Sequence, residues 1–445
     1  MSAFSYCVVS SVLHDREAVD AIAARYSPLL EKAGGRRVDL AGRADQGTSD
    51  TSLPDFFFIL TGGTEGIVRA ALVVRRAIEL RAPLFLIAHP GHNSLPAAME
   101  ILAWVRQQGG SGEIVFIRSA SDPAALARIA MLSNVAQTIA ALKKTRVGAI
   151  GDPSDWLIAS SQKAAAIRAT WGPELVPITI SSLQQKMEAL EPGLRAGQDG
   201  DLGRAGRIDG FWNAATSVRE AQRADMFRSN LIYEGLKSLC GDFRLDALTI
   251  RCFDLVSANG STGCYALSQL SDDGIDAGCE GDIPSILALH SLRLLTGKAA
   301  WMANPASIEL GGDSAVAALG EGAASGKLLL AHCTVPRSLI GSYGIRSHFE
   351  SGLGLAIAGT FEPSPVTLFR IGGEHLDAAW AAEGRLVASP HDEGLCRTQA
   401  LVEMSGTDLS ALLERPLGNH LVMVPGHWKG QLLALMNFLG VRRSA

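Results

Sequence analysis

The pattern that most restricts the fold is an apolar run that ends in a loop and restarts as a helix. Phe56-Phe57-Phe58-Ile59-Leu60 is apolar throughout. Thr61-Gly62-Gly63-Thr64-Glu65-Gly66 follows, and helical spacing then continues to residue 80. Leu84-Phe85-Leu86-Ile87-Ala88 repeats the plan, with His89-Pro90-Gly91-His92-Asn93-Ser94 as its loop and 95–108 as its helix. Residues 6–9 and 113–117 read as further strands. Strands that do not alternate apolar and polar residues are covered on both faces, which is the mark of a parallel sheet between helices. An α/β domain is therefore predicted over 1–144.

A second α/β domain is predicted over 145–301. Val147-Gly148-Ala149-Ile150-Gly151, 176–180 and 247–252 read as strands, and 157–170 and 283–295 as helices. Val218, Ala221, Ala224, Met226, Leu231 and Leu236 recur near helical spacing and predict a helix over 214–239. The stretch 192–210, rich in Gly, Arg and Asp, reads as a surface loop. From residue 302 the pattern changes. Short strand candidates at 328–331, 354–359, 366–371, 385–388, 399–404 and 421–424 are separated by turn residues, with little helix before 430–439. Residues 302–445 thus read as a β-barrel-like domain. The fold class is α/β: two doubly wound parallel-sheet domains followed by a C-terminal β-barrel-like domain.

Charge excludes some partners. Lys plus Arg number 40 against 45 Asp plus Glu, a net charge of −5. Nucleic acid and anionic membrane are disfavoured. No uninterrupted apolar run reaches the roughly 18 residues of a membrane span. Met1-Ser2-Ala3-Phe4 carries no basic stretch, so a cytoplasmic protein is expected. The seven cysteines are odd in number and form no CxxC pair. That argues against a disulfide framework or a zinc finger, and most read as small core hydrophobes. Charged residues make up 19% of the chain, below the average of about 25%. Apolar surface is then left to bury between subunits, and a homo-oligomer is expected.

Several segments offer chemistry. The 61–66 loop is neither GxGxxG nor a P-loop and reads as a tight turn feeding a helix. His89 and His92 lie in a loop at the carboxyl end of a strand, where open α/β sheets bind ligands. They are candidate substrate contacts, with surface or packing roles as the plain alternative. Asp152-Pro153-Ser154-Asp155 makes a good helix start with Asp152 as N-cap, while the ring of Trp156 could stack on a sugar. Glu280 and Asp282, in Cys279-Glu280-Gly281-Asp282, stand at the start of an apolar helix whose dipole favours acids. Glu280 has no basic neighbour in sequence, an odd setting for a purely structural glutamate. Asn304, His332 and His420 complete a carboxylate, amide and imidazole set suited to a divalent ion such as Mn²⁺ or Mg²⁺.

At these residues the chain resembles the L-fucose isomerase and L-arabinose isomerase superfamily. The resemblance covers most of the chain and is sharpest from residue 263 onward. It implies two α/β domains before a β-barrel and a divalent metal, usually Mn²⁺. It also implies carboxylates that move protons between C1 and C2 of an open-chain sugar through an ene-diol. Carried over, Glu280 is ligand and proton shuttle, His420 a ligand, and His332 a ligand or substrate contact. Asn304 stands where the family has a second carboxylate. An amide oxygen can bind metal but cannot take a proton. Glu350 and His348, in Ser347-His348-Phe349-Glu350-Ser351-Gly352, and Asp282 are candidates to act instead. The resemblance further implies a trimer or hexamer in which His89 or His92 faces a neighbouring subunit's Glu280. The expected function is a metal-dependent aldose–ketose isomerase acting on a small sugar. The alternatives are a non-catalytic carbohydrate-binding relative, or a metal-dependent lyase or epimerase on a sugar derivative.

Overall fold

The structure, a computed structural model, describes residues 4–39, 53–74, 82–196, 202–310 and 325–444. It divides into two compact units, Met1–Thr138 and Ile139–Ala445.

Strand and helix alternate from the start: β1 (Phe4–Val9), α1 (Arg16–Lys32), β2 (Gly35–Arg37), β3 (Phe56–Ile59), α2 (Glu65–Val74), β4 (Leu84–Ala88), α3 (Ser94–Gln107), β5 (Gly112–Phe116) and α4 (Pro123–Leu142), whose last turn falls in the second unit. The five strands pair in parallel in the order β2-β1-β3-β4-β5. The apolar run 56–60 is wholly buried, as a sheet covered on both faces requires. The predicted end of α2, residues 75–80, lies outside the described residues. Helix α4 is long and apolar enough to cross a bilayer by length and composition, and 44% of its apolar window is buried inside the protein.

The second unit opens with β6 (Arg146–Ile150), α5 (Ala164–Thr170), β7 (Glu174–Ile178), α6 (Ile180–Ala196), α7 (Leu202–Ala214), β8 (Ser217–Val218), α8 (Asp225–Phe243), β9 (Ala247–Ile250), α9 (Phe253–Asn259), α10 (Cys264–Asp272), β10 (Asp276–Gly278) and α11 (Ile283–Thr296). A parallel sheet forms in the order β10-β9-β6-β7. There follow β11 (Trp301–Glu309), β12 (Ser325–His332), β13 (Ser342–Arg346), β14 (Ala356–Thr360), β15 (Ser364–Gly372), β16 (Ala378–Ala388), β17 (Thr398–Ser405), α12 (Gly406–Glu414), β18 (Leu421–Pro425), α13 (Lys429–Leu439) and β19 (Arg442–Arg443). Six of these strands, in the order β15-β18-β11-β12-β17-β16, close through a β15–β16 pairing into an antiparallel barrel. The α/β and barrel architecture matches the expectation.

Three local expectations fail. The helix expected over 214–239 begins only at Asp225. Before it, β8 adds in parallel to β13, and Glu220 takes a left-handed φ of 59°. The expected loop 192–210 is mostly helix, α6 running through Pro192 to Ala196 and α7 from Leu202. An Arg195–Glu191 ion pair one turn apart supports α6 there. The helix expected over 157–170 shrinks to α5, so Asp152 caps nothing. Its loop is held from a distance instead. Ser154 N–H donates to the Glu280 carbonyl at 2.8 Å, and Arg251 grips Asp155 at 2.9 Å.

Candidate metal centre

Glu280 lies just beyond the carboxyl end of β10, at the edge of the parallel sheet where such folds place ligands. The backbone turns sharply here. Glu280 and Gly281 both take left-handed φ, 63° and 72°. A Cβ on Gly281 would stand 2.8 Å from Pro153 Cα, so position 281 needs glycine twice over. Asp282 then caps α11, accepting from Ser285 N–H at 2.8 Å, with a proline in the first turn.

The barrel supplies the other groups from three adjacent strands. β11 lies between β18 and β12. Its Ala303 pairs with Leu421 and its Asn304 with Ala331. His420, just before Leu421, and His332, just after Ala331, therefore emerge at the same rim as Asn304. Asn304 sits in a strand rather than an Asn-Pro turn, and its Oδ1 accepts from Asn419 Nδ2 at 3.3 Å.

Glu280, His332 and His420 converge. All three are buried, and one potential ligand atom from each lies within 4.8 Å of the others. His420 Nε2 stands 3.5 Å from Glu280 Oε1 and has no hydrogen-bond partner. The other ring nitrogen, Nδ1, lies 2.8 Å from Asp282 Oδ2. An ionised carboxylate only accepts, so Nδ1 carries the proton of that bond and Nε2 turns toward the cluster. His332 is arranged alike, with Nδ1 3.0 Å from Thr334 Oγ1. A carboxylate and two imidazoles, one with an orphaned buried nitrogen and a carboxylate behind it, form a donor set that fits a divalent ion.

Without an ion the two imidazoles of the cluster differ in charge. Burial would lower the pKa of His420, but the Asp282 hydrogen bond and the carboxylate charges of Asp282 and Glu280 outweigh it and hold it at about 9. Burial drives His332 down to about 4, keeping its imidazole neutral. Burial would raise the pKa of Glu280, but the charge of the adjacent His420, with help from the Trp156 hydrogen bond, holds it below its usual value. Asp282 is fully buried, yet the Arg370 charge and the His420 bond keep its carboxyl well below the usual range.

Trp156 is tied to the cluster through its polar edge. Its Nε1–H donates to Glu280 Oε2 at 2.6 Å, and its ring meets Phe253 edge-on at 5.0 Å. Trp156→Phe should keep the aromatic contact and lose the bond. Because the indole is half-exposed, we expect a loss of only about 1 kcal/mol, read by urea unfolding of the metal-free protein.

A cavity of about 60 Å³ opens against the cluster. It is lined by Glu280, Asn304, His332, His348 and Glu350, and by Cys252, Cys264, Cys279, Cys333 and Cys396. The cysteines are free. His348 is buried beside Phe253, its Nδ1 3.1 Å from Ser351 Oγ. His89 and His92 belong to the first unit. His89 is buried, its ring nitrogens facing the Pro90 and Leu60 carbonyls at 2.9 and 3.0 Å. His92 is exposed, with a left-handed φ of 49°. Sequence reasoning missed Arg370, which is 1% exposed and bonded to Asp282. A lone charge within the apolar stretch 366–371 was the available signal.

No family model matches the chain. Over 170 residues it is 24% identical to a sulfoquinovose isomerase of Priestia aryabhattai and, equally, to one of Priestia megaterium (strain ATCC 12872 / QMB1551). The match covers 37% of this chain and 35% of each relative's length, so it spans about a third of those proteins.

Proposed function

We propose that this chain is a divalent-metal-dependent aldose–ketose isomerase of the fucose and arabinose isomerase kind. The observation that carries the reading is the Glu280, His332 and His420 cluster with its unpartnered His420 Nε2. Similarity to sulfoquinovose isomerases supports it and makes sulfoquinovose the first sugar to test. Those three side chains would hold the ion, with the Asn304 amide oxygen on the same cavity wall. Mn²⁺ is the ion proposed, with Mg²⁺ as the alternative.

When bound, the metal polarises the sugar's carbonyl and hydroxyl oxygens and so acidifies the adjacent C–H. The chain's own groups then move protons. Glu280, ionised and steadied by Trp156, takes the proton from C2 of the open-chain aldose and returns it to C1 of the ene-diol. Asn304 cannot serve as the second base. Glu350, on the same cavity, takes the O2 proton and supplies one to O1. His348 holds a sugar hydroxyl.

Incubation with Mn²⁺ and a panel of aldoses and ketoses in deuterated solvent tests the reading. The expected result is interconversion with deuterium at C1 or C2. One observation favours a sugar-binding protein without turnover: Glu280 is the sole carboxylate of the cluster. Sugar binding without exchange would select that reading, and products other than an aldose–ketose pair would select a lyase or epimerase. The proposal includes a homo-oligomer, trimer or hexamer, with the exposed His92 toward a neighbour's Glu280, since His89 is buried with both ring nitrogens engaged. A light-scattering mass near 46.9 kDa would overturn that arrangement.

A further inference from the structure

We propose that Arg370 is a positioning residue for the metal cluster, acting through Asp282 on His420. Arg370 projects from barrel strand β15 and touches neither Glu280 nor His332 through any hydrogen bond. Its guanidinium is 1% exposed, and the Asp282 carboxylate is fully buried. Nη1 donates to Asp282 Oδ2 at 3.1 Å and to Ser285 Oγ at 2.7 Å. Nη2 donates to Ser160 Oγ at 2.7 Å, and Nε to the Leu417 carbonyl at 3.3 Å. One planar fork therefore joins the loop after β6, the first turn of α11 and the segment leading into His420. The fit is close: a Cβ on Gly418 would collide with Nη2.

The energetics point the same way. A buried Arg–Asp pair adds little stability over apolar residues of the same volume, because desolvation offsets the attraction. Geometry is what such a pair can supply. Asp282 Oδ2 accepts from both Arg370 and His420 Nδ1. With the carboxylate pinned on one side by a rigid fork, the imidazole has a single orientation, and Nε2 faces Glu280 Oε1.

The inference rests on the metal reading above, and the test separates the two. Full-length wild type, Arg370→Met, Arg370→Lys, Asp282→Asn and the double variant Arg370→Met/Asp282→Asn are titrated with Mn²⁺ by calorimetry. On the metal-free proteins, protection of the His420 ring N–H from solvent exchange is read by ¹⁵N-histidine NMR. Arg337→Met, which breaks the separate Arg337–Asp272 pair, controls for general destabilisation. Arg370→Met should weaken Mn²⁺ binding about 10–100-fold and expose the ring N–H to exchange. Arg370→Lys should restore part of both. The double variant should be no weaker than the worse single variant, because both act through one bond. Arg337→Met should lower Tm and leave the affinity alone. Wild-type affinity with a protected ring N–H in Arg370→Met overturns the proposal, as does an equal loss of affinity in Arg337→Met. If Arg370→Met does not fold, Arg370→Lys and Asp282→Asn carry the same comparison. If wild type takes up no Mn²⁺, the metal reading falls, and the ring N–H alone decides on Arg370.

Discussion

Glu280→Gln is expected to abolish Mn²⁺ uptake and turnover together while leaving the fold intact. Glutamine has the same shape, so the Trp156 indole keeps an acceptor and the left-handed turn is unchanged. What disappears is the one carboxylate charge of the cluster and the group proposed to take the C2 proton. His332 and His420 then remain beside two amides. Hard-cation affinity follows ligand charge, so the loss should be about 100-fold or more. Calorimetric titration gives the affinity, and circular dichroism the fold. Wild-type affinity in this variant would remove Glu280 from the site.

Asn304→Asp should move affinity the other way, by about tenfold or more. Asn304 lines the same cavity as Glu280 and His332. Its strand backbone is fixed by pairing with Ala331, and its Oδ1 already accepts from Asn419. An aspartate can keep that bond and add an anionic ligand and a base. Isomerase turnover should rise with it, measured by deuterium exchange at C1 or C2. A rise in affinity without any rise in exchange would assign proton transfer to Glu350 or another group. Equal Mn²⁺ affinity in wild type, Asn304→Asp and Glu280→Gln would dissolve the proposed centre.

The layered fold was legible because burial leaves a mark on every residue it touches. Phe56 to Leu60 could hardly be anything but a covered strand, and the strand candidates after residue 325 announced the barrel through their turns. Local signals misled where distant partners decide. Asp152-Pro153-Ser154-Asp155 has the chemistry of a helix cap, yet Arg251 and the Glu280 carbonyl hold it as a loop. The stretch 192–210 has the composition of a loop, yet the described residues there are mainly helix. At the site, Glu280, His332 and His420 were readable from residue type. Their convergence was not, because it depends on strand neighbours in the barrel that no spacing encodes. Asp282 showed its cap and concealed its hold on His420, 138 residues away.

The left-handed backbone at Glu280 bears on how such a position is selected. A side chain with a Cβ at φ 63° is strained by about 1–3 kcal/mol, and a buried carboxylate adds desolvation. Glycine or asparagine would relieve both. A lineage selected for thermal endurance alone would drift toward one of them, and a stability screen on this chain would enrich the same replacements. A glutamate at residue 280 thus costs folding stability, as expected where function rather than folding sets the residue.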